Sequence, residues 1–151
     1  MRAVIQRVHG ADITIDHQET RRIGQGLVVF LGVLKGDTEK QSAFLADKIC
    51  GLRIFQDDAG KMNRSLMDVG GDILIVSNFT LSTDCGHGRR PSFDNSAPFA
   101  EAEKLYEHFV ACVRRQEPHD VQTGQFAAHM DVNVQNDGPV TIIIDTEKIG
   151  K

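Results

Sequence analysis

The chain has 151 residues, of which 40% are hydrophobic and 25% charged, a composition typical of one globular domain with one core. Its net charge of −4 argues against a protein that holds a long stretch of nucleic acid by the phosphates. The same charge does not exclude contact with a short single-stranded end. With no Trp and one Tyr, the chain also lacks the residues of a broad base-stacking platform.

The N-terminus, the cysteines and the histidines indicate a reduced, cytoplasmic protein without cofactors. MRAVIQRV begins directly as a strand pattern, so we expect no signal peptide, and no apolar run has the ~20 residues that span a bilayer. The three cysteines have no CxxC spacing, which predicts free thiols. The six histidines are scattered with no HExxH motif, so the sequence predicts no metal site.

The first third of the chain predicts strands and one helix. Residues 3–15 alternate but are interrupted by Gly10, which predicts two short strands, followed by a turn over 16–22. The run LVVFLGVL (27–34) is continuously apolar, as in a fully buried strand. A helix over about 38–51 follows, because Thr38 and Gln41 form a capping-box pattern ahead of an apolar helical face.

The middle of the chain predicts a second buried strand and a second helix. DILIVSNFTL (72–81) is the strand, and a helix over about 98–116 begins at a proline and carries a regular apolar face. Between them, residues 82–97 form a polar, glycine-rich loop that is too long for a simple connector and includes Arg89 and Arg90. These arginines are candidates to meet RNA phosphates, and a solvated loop is the alternative.

The last part predicts strands only. Alternation over 126–134 indicates a half-buried strand, followed by a turn at 136–139 and a final strand over 140–145. The order of elements predicts an α+β fold in a single domain over 1–151, with a mainly antiparallel, barrel-like sheet and two main helices.

The end of the second buried strand is the first candidate site. Polar side chains and backbone amides released from a sheet at this point can face a developing oxyanion. The residues concerned are Ser77, Asn78, Phe79 and Thr80. The simpler interpretation is that they only end a strand, because no Ser-His-Asp or Cys-His arrangement is visible beside them.

Gly138-Pro139 is the second candidate site. Proline fixes φ and removes an N–H, and glycine lets a ligand approach the backbone closely. A rigid backbone wall without side chains can reject one enantiomer by clash, whereas the ordinary interpretation is a turn between two strands. From pattern alone, Arg7 is a partner in an ion pair, and Phe126 and Met130 are core residues.

Several blocks of the sequence together resemble the D-aminoacyl-tRNA deacylase family. They follow the family's order over nearly the whole chain: MRAVIQRV with IGQGLVVFLGV, then GLRIFQDDAGKMN, SNFTL, GRRPSF, TGQFAAHM and NDGPVT. SNFTL is similar to the family's Ser-Gln-x-x-Thr signature. It differs at Asn78, whose side chain is one methylene shorter than the usual Gln.

The resemblance implies a homodimer that hydrolyses the ester of D-aminoacyl-tRNA, and of glycine mischarged on tRNA-Ala, at sites near the subunit interface. It implies that the site is lined by Ser77, Asn78, Phe79 and Thr80. Gly138-Pro139 would be the family's Gly-cis-Pro motif, which enters the partner's pocket and excludes L side chains, with Arg7 fixing it. Phe126 and Met130 would border the terminal adenosine.

The implied chemistry needs no strong nucleophile, because an aminoacyl ester is already activated. The favoured scheme has backbone N–H groups near Phe79 and Thr80 holding the carbonyl oxygen, and the resemblance implies help from the substrate's own 2′-hydroxyl. A second scheme makes Thr80 the nucleophile, without a visible base. Two non-enzymatic alternatives are a module that binds RNA ends and an oligomerisation domain.

Overall fold

The computed structural model describes residues 1–149, which form eight strands, three α-helices and one 3₁₀ turn. The strands are β1 (Arg2–Ile15), β2 (Glu19–Ile23), β3 (Gly26–Gly32), β4 (Phe55–Gln56), β5 (Met62–Arg64), β6 (Asp72–Ser77), β7 (Asp120–Thr123) and β8 (Met130–Asp145). The helices are α1 (Glu39–Cys50), α2 (Leu66–Val69) and α3 (Phe99–Arg114), and the 3₁₀ turn is Phe79–Ser82.

The long strand β1 organises the main sheet. It pairs antiparallel with β8 along one edge, and with β3 and then β2 along the other. From β3 the sheet continues through β6 to β7 by parallel pairing. The guanidinium of Arg21 on β2 donates to the carbonyl of Thr123 on β7 over 2.6 Å, so the two ends of the sheet nearly meet. The predicted α+β fold with a barrel-like sheet is confirmed.

Strands β3 and β6 are buried on both faces, which explains their continuously apolar sequences. Leu27 and Ile73 pack into a core between the sheet and the helices α1 and α3. Their neighbours Val28 and Leu74 point to the opposite face and join a second core. The parallel β3–β6 pair is therefore the rigid centre of the molecule, and both strands end at the same edge of the sheet.

Both predicted helices are present. Helix α1 begins with the predicted capping box, in which the backbone N–H of Thr38 donates to Gln41 Oε1 over 2.9 Å. Helix α3 packs against α1, and the Ser42 hydroxyl donates to the carbonyl of Leu105 over 3.3 Å. The short helix α2 was not predicted, because four residues do not carry a helical period. Among residues 1–149, no helix combines the length and the apolar character that a membrane crossing needs.

Two predictions for the N-terminal hairpin are wrong. Residues 3–15 are not two short strands, because β1 runs through Gly10, and only its register with β8 shifts on either side of Val8. Residues 16–22 are not a turn throughout, since β2 already begins at Glu19. The turn is tight because Asp16 and His17 adopt left-handed conformations, with φ of 48° and 59°.

Two strand boundaries in the second half also differ from the prediction. The strand predicted over 72–81 ends at Ser77, and the residues after Asn78 form the 3₁₀ turn. The strand predicted from Phe126 begins only at Met130, because Ala127 has a left-handed φ of 64°. No clear break in the apolar pattern marks either boundary.

The predicted turn at 136–139 is instead a bulge inside the continuous strand β8. Asn136 pairs with Val8 and Thr141 pairs with Gln6, so residues 137–140 lie opposite the single residue Arg7. The Asn136 amide closes this bulge by donating to the carbonyls of Arg7 and Val140, over 2.9 and 3.0 Å. A side chain that hydrogen-bonds across the bulge replaces the missing ladder bonds, so the chain protrudes without reversing.

Candidate active site

A cavity of about 610 Å³ lies where β3 and β6 end. The end of β6, the start of α3 and the segment that leads into β8 form its walls. Five of the residues predicted for the site line it together: Ser77, Asn78, Phe79, Phe126 and Met130. Residues from two distant parts of the sequence are thus brought to one cavity.

The backbone changes direction at the end of β6. The N–H of Asn78 makes the last bond to β3, donating to the carbonyl of Leu31 over 2.8 Å. The first bond of the 3₁₀ turn runs from the N–H of Leu81 to the carbonyl of Asn78. The amides of Phe79 and Thr80 fall between these two bonds and have no acceptor inside the turn. They are donors available to a ligand at the edge of the cavity.

The Thr80 side chain is exposed beside the cavity and does not line it. Its hydroxyl donates to Asn78 Oδ1 over 2.5 Å, and its carbonyl accepts from the Thr83 hydroxyl. An amide oxygen cannot remove the proton of a hydroxyl, so this bond does not activate Thr80 as a nucleophile. It does orient the shorter side chain of Asn78.

An aromatic wall closes the cavity on the α3 side. The ring of Phe126 packs edge-on against Phe99, with centroids 5.0 Å apart, and lies 5.9 Å from the ring of Tyr106. Tyr106 donates its hydroxyl to the carbonyl of Ile75 over 3.0 Å, and burial raises the pKa of that hydroxyl, so it stays a donor. Sequence reasoning missed Phe99 and Tyr106, because their helical spacing is also that of a core.

The long loop borders the mouth of the cavity. Phe79 is 59% exposed and packs edge-on against Phe93 of the loop, with centroids 5.2 Å apart. Arg89 and Arg90 are exposed in the same loop. The mouth therefore combines exposed aromatic rings with a loop that carries two adjacent cations.

Gly138 and Pro139 are joined by a cis peptide bond and are exposed at the tip of the bulge. Neither residue lines the cavity of its own chain. The predicted site residues thus form two groups in the monomer, one at the cavity and one at the bulge.

Arg7 is buried and packs against the bulge from the neighbouring strand β1. Its Nη1 donates to the carbonyl of Ile54 over 2.7 Å, and its Nε lies 3.0 Å from Asp137 Oδ2. The second contact is an ion pair, since its direction does not suit a hydrogen bond. A Cβ atom on Gly138 would lie 3.2 Å from Arg7 Nη2, so the guanidinium packs directly against the glycine.

Comparison with known proteins decides the family. The sequence profile described as D-Tyr-tRNA(Tyr) deacylase matches residues 4–145. The chain belongs to this family. The resemblance inferred from the sequence blocks is therefore confirmed.

Two D-aminoacyl-tRNA deacylases match this chain over nearly the full length of both sequences. The D-aminoacyl-tRNA deacylase of Thermosipho melanesiensis is 52% identical over 149 residues, covering 99% of both chains. The D-aminoacyl-tRNA deacylase of Geobacter sulfurreducens is 53% identical, covering 97% of this chain and 96% of its own.

Two solved structures are similar in fold. One, described as a c-Myc DNA unwinding element binding protein, has a TM-score of 0.90 at 40% identity and covers 96% of this chain and 98% of its own. The other, described as a probable eukaryotic D-amino acid tRNA deacylase, has a TM-score of 0.81 at 19% identity, with coverage of 95% and 97%. The second likeness concerns the fold alone.

Proposed function

We propose that the protein hydrolyses the ester bond of D-aminoacyl-tRNA in the cytoplasm, releasing the D-amino acid and free tRNA. One observation carries this proposal: the backbone amides of Phe79, which lines the cavity, and of Thr80, which follows it, have no acceptor inside the 3₁₀ turn of a chain about half identical to D-aminoacyl-tRNA deacylases. Backbone donors at such a place suit the oxyanion that forms when water attacks an ester.

In the proposed reaction, the carbonyl oxygen of the ester accepts hydrogen bonds from the amides of Phe79 and Thr80. A water molecule attacks the carbonyl carbon, its proton passes to the ribose oxygen that leaves, and the substrate's 2′-hydroxyl assists. Removal of one such donor typically costs ~10²- to 10³-fold in rate. The apolar wall of Phe126, Met130 and Phe99 suits the terminal adenosine, because bases stack on aromatic rings.

The chirality of the substrate is read by Gly138-Pro139 of a second subunit in a homodimer. The tip of the bulge, Gly138-Pro139, is exposed and carries no side chain beyond the proline ring. Arg7 and Asn136 hold the bulge on its buried side, and its tip does not reach the cavity of its own chain. Within residues 1–149, the outer edge of β8 pairs with no other strand, which leaves it free for a partner.

A backbone wall of this kind excludes a side chain on one side of the α-carbon. Glycine has no side chain, so the same wall does not exclude it, and glycyl-tRNA is expected to be a substrate as well. L-Aminoacyl-tRNA is expected to be rejected, since its side chain would meet the wall.

A non-catalytic module that binds nucleic-acid ends is the alternative function. It is favoured by the name of the structural relative that binds a DNA unwinding element, and by the two arginines of the loop. The net charge of −4 limits either function to contact with a short segment of nucleic acid.

The deciding experiment measures release of labelled tyrosine from D-Tyr-tRNA and L-Tyr-tRNA under single-turnover conditions. We expect rapid release from the D substrate and none above background from the L substrate. Binding of both tRNAs without release from either would favour the end-binding module. Release of both enantiomers at equal rates would contradict chiral selection.

The same assay with Pro139→Ala tests the wall, because alanine restores an N–H and freedom in φ at the tip of the bulge. Either the L substrate becomes hydrolysed or the activity on the D substrate falls. Full retention of D-over-L discrimination would show that this residue does not form the wall.

A further inference from the structure

Three potential metal ligands converge where the first hairpin meets the start of β8, and one of them, His129, also lines the cavity. His17 lies in the tight turn between β1 and β2, and His129 and Asp131 flank Met130, the first residue of β8. The ligand atoms of these three side chains all lie within 4.8 Å of one another. Among residues 1–149, this is the only such group of three.

The two distances from the histidines to the carboxylate are close to those between neighbouring ligands of a tetrahedral ion. His17 Nδ1 lies 3.4 Å from Asp131 Oδ2, and His129 Nε2 lies 3.4 Å from Asp131 Oδ1. A tetrahedral Zn²⁺ ion with bonds of ~2.0–2.1 Å places neighbouring ligand atoms roughly 3.3–3.4 Å apart. Small rotations of exposed side chains would let all three reach one ion, and water would complete the coordination.

The backbone already holds the two parts of the group together. The N–H of Asp16 donates to the carbonyl of His129 over 2.9 Å, and the N–H of His129 donates to Asp16 Oδ1 over 3.1 Å. The imidazole rings of His17 and His129 stand 5.1 Å apart. An ion would therefore bind with little reordering of the chain.

Ordinary ion pairing accounts poorly for this arrangement. One carboxylate faces two imidazoles, and all three side chains are exposed to solvent, where ion pairs contribute little. By contrast, His119 and Asp72 form a simple pair over 2.7 Å without a third ligand beside them in the described chain.

We propose that His17, His129 and Asp131 form a binding site for a borderline transition-metal dication such as Zn²⁺. Two imidazole nitrogens with one carboxylate oxygen suit Zn²⁺ and its neighbours, whereas Mg²⁺ and Ca²⁺ prefer oxygen ligands alone. The bound ion would tether the first hairpin to the start of β8, beside the part of the cavity wall that His129 and Met130 form. It takes no part in the proposed ester hydrolysis.

The test uses the full-length, tag-free protein, with Co²⁺ absorption to report coordination and Zn²⁺ competition to give affinity. We expect one ion per chain and a tetrahedral Co²⁺ spectrum. His17→Asn and Asp131→Asn should each weaken binding at least about tenfold. Asparagine suits the left-handed φ of residue 17, so the turn is kept.

Two matched controls separate this site from other ligands. His119→Asn removes an equally exposed histidine from a simple ion pair, and Cys85→Ser removes the exposed thiol. Both variants should bind Zn²⁺ as the unaltered protein does, and Zn²⁺ should raise the thermal midpoint of the unaltered protein but not that of His17→Asn. Absence of binding, equal affinity in all variants, or loss of binding in Cys85→Ser would overturn the proposal.

Discussion

The backbone amides of Phe79 and Thr80 are the residue-scale feature on which the proposed chemistry depends. They lie between the last bond of β6 and the first bond of the 3₁₀ turn, at the edge of the cavity. The Thr80 hydroxyl is already bonded to an amide oxygen, with no base in that bond. A main-chain role and a nucleophile role for this segment therefore predict different effects of mutation.

Phe79→Pro should abolish most of the deacylation, because proline removes one of the two donor amides. We expect a loss of ~10²- to 10³-fold in the single-turnover rate. Proline is tolerated in the first turn of a helix, and Asn78 (φ −144°, ψ 91°) lies outside the α region that a following proline disfavours. Phe79→Ala is the matched control, since it removes the ring and keeps the amide.

Thr80→Ala separates the two schemes in the same assay. Its rate should stay well above background if the main chain and the substrate's 2′-hydroxyl provide the catalysis. A loss as complete as that of Phe79→Pro would favour Thr80 as the nucleophile instead.

At the scale of elements, the parallel contact between β3 and β6 positions the cavity. The two strands start side by side, and a Cβ atom on Gly26 would lie only 1.8 Å from the carbonyl oxygen of Asp72. The close approach at the start of the two strands fixes their register, and this register pairs Leu31 with Ser77 at the end of the strands, beside the cavity. Gly26 therefore helps to position the cavity residues, although it lies at the opposite end of the strands.

Gly26→Ala should destabilise the fold by about 3 kcal/mol or more, the upper part of the range for overpacking, because backbone rather than a flexible side chain occupies the space. Chemical denaturation measures this change. Gly10→Ala is the control: its nearest neighbour would be the carbonyl oxygen of Ile23 at 3.4 Å, an ordinary contact, so a loss below about 1 kcal/mol is expected. Equal losses in both variants would contradict the importance of this contact.

At the scale of the whole molecule, the cavity and the bulge are separate in one chain, and the proposal joins them across a dimer. The outer edge of β8 carries Ile143, which is 68% exposed, and no strand within residues 1–149 covers this edge. A side chain of this size is rarely left so exposed beside a free strand edge without a partner.

Mixed dimers test whether the bulge acts on the neighbouring subunit. Phe79→Pro disables the cavity, and Gly138→Val should distort the bulge, because residue 138 has φ of +123° and packs against Arg7. Each variant alone should have strongly reduced activity on D-Tyr-tRNA. Unfolding and refolding them together should restore D-Tyr-tRNA hydrolysis, since a mixed dimer then contains one site with an intact cavity and an intact bulge.

Activity that stays absent in refolded mixtures, while mass spectrometry shows that mixed dimers form, would mean that both parts act within one chain. A monomer at all concentrations in solution would exclude the arrangement altogether.

Local features were read correctly from the sequence. The capping box of α1, the amphipathic face of α3 and the apolar runs of β3 and β6 predict their elements because each depends on neighbours within one or two turns or strands. The polar residues after the buried run also predict that Ser77, Asn78 and Phe79 lie together, and they line the cavity, while their catalytic role stays a prediction. The family was read from whole blocks whose order covers the chain.

Long-range pairing decided the rest. Only the register between β1 and β8 turns the expected Asn136–Pro139 turn into a bulge above Arg7. Only the packing of α3 brings Phe126 and Tyr106 to the cavity, and only the first hairpin brings His17 to His129. These contacts join residues far apart in the chain, and their free energy depends on the whole sheet, so no local pattern encodes them.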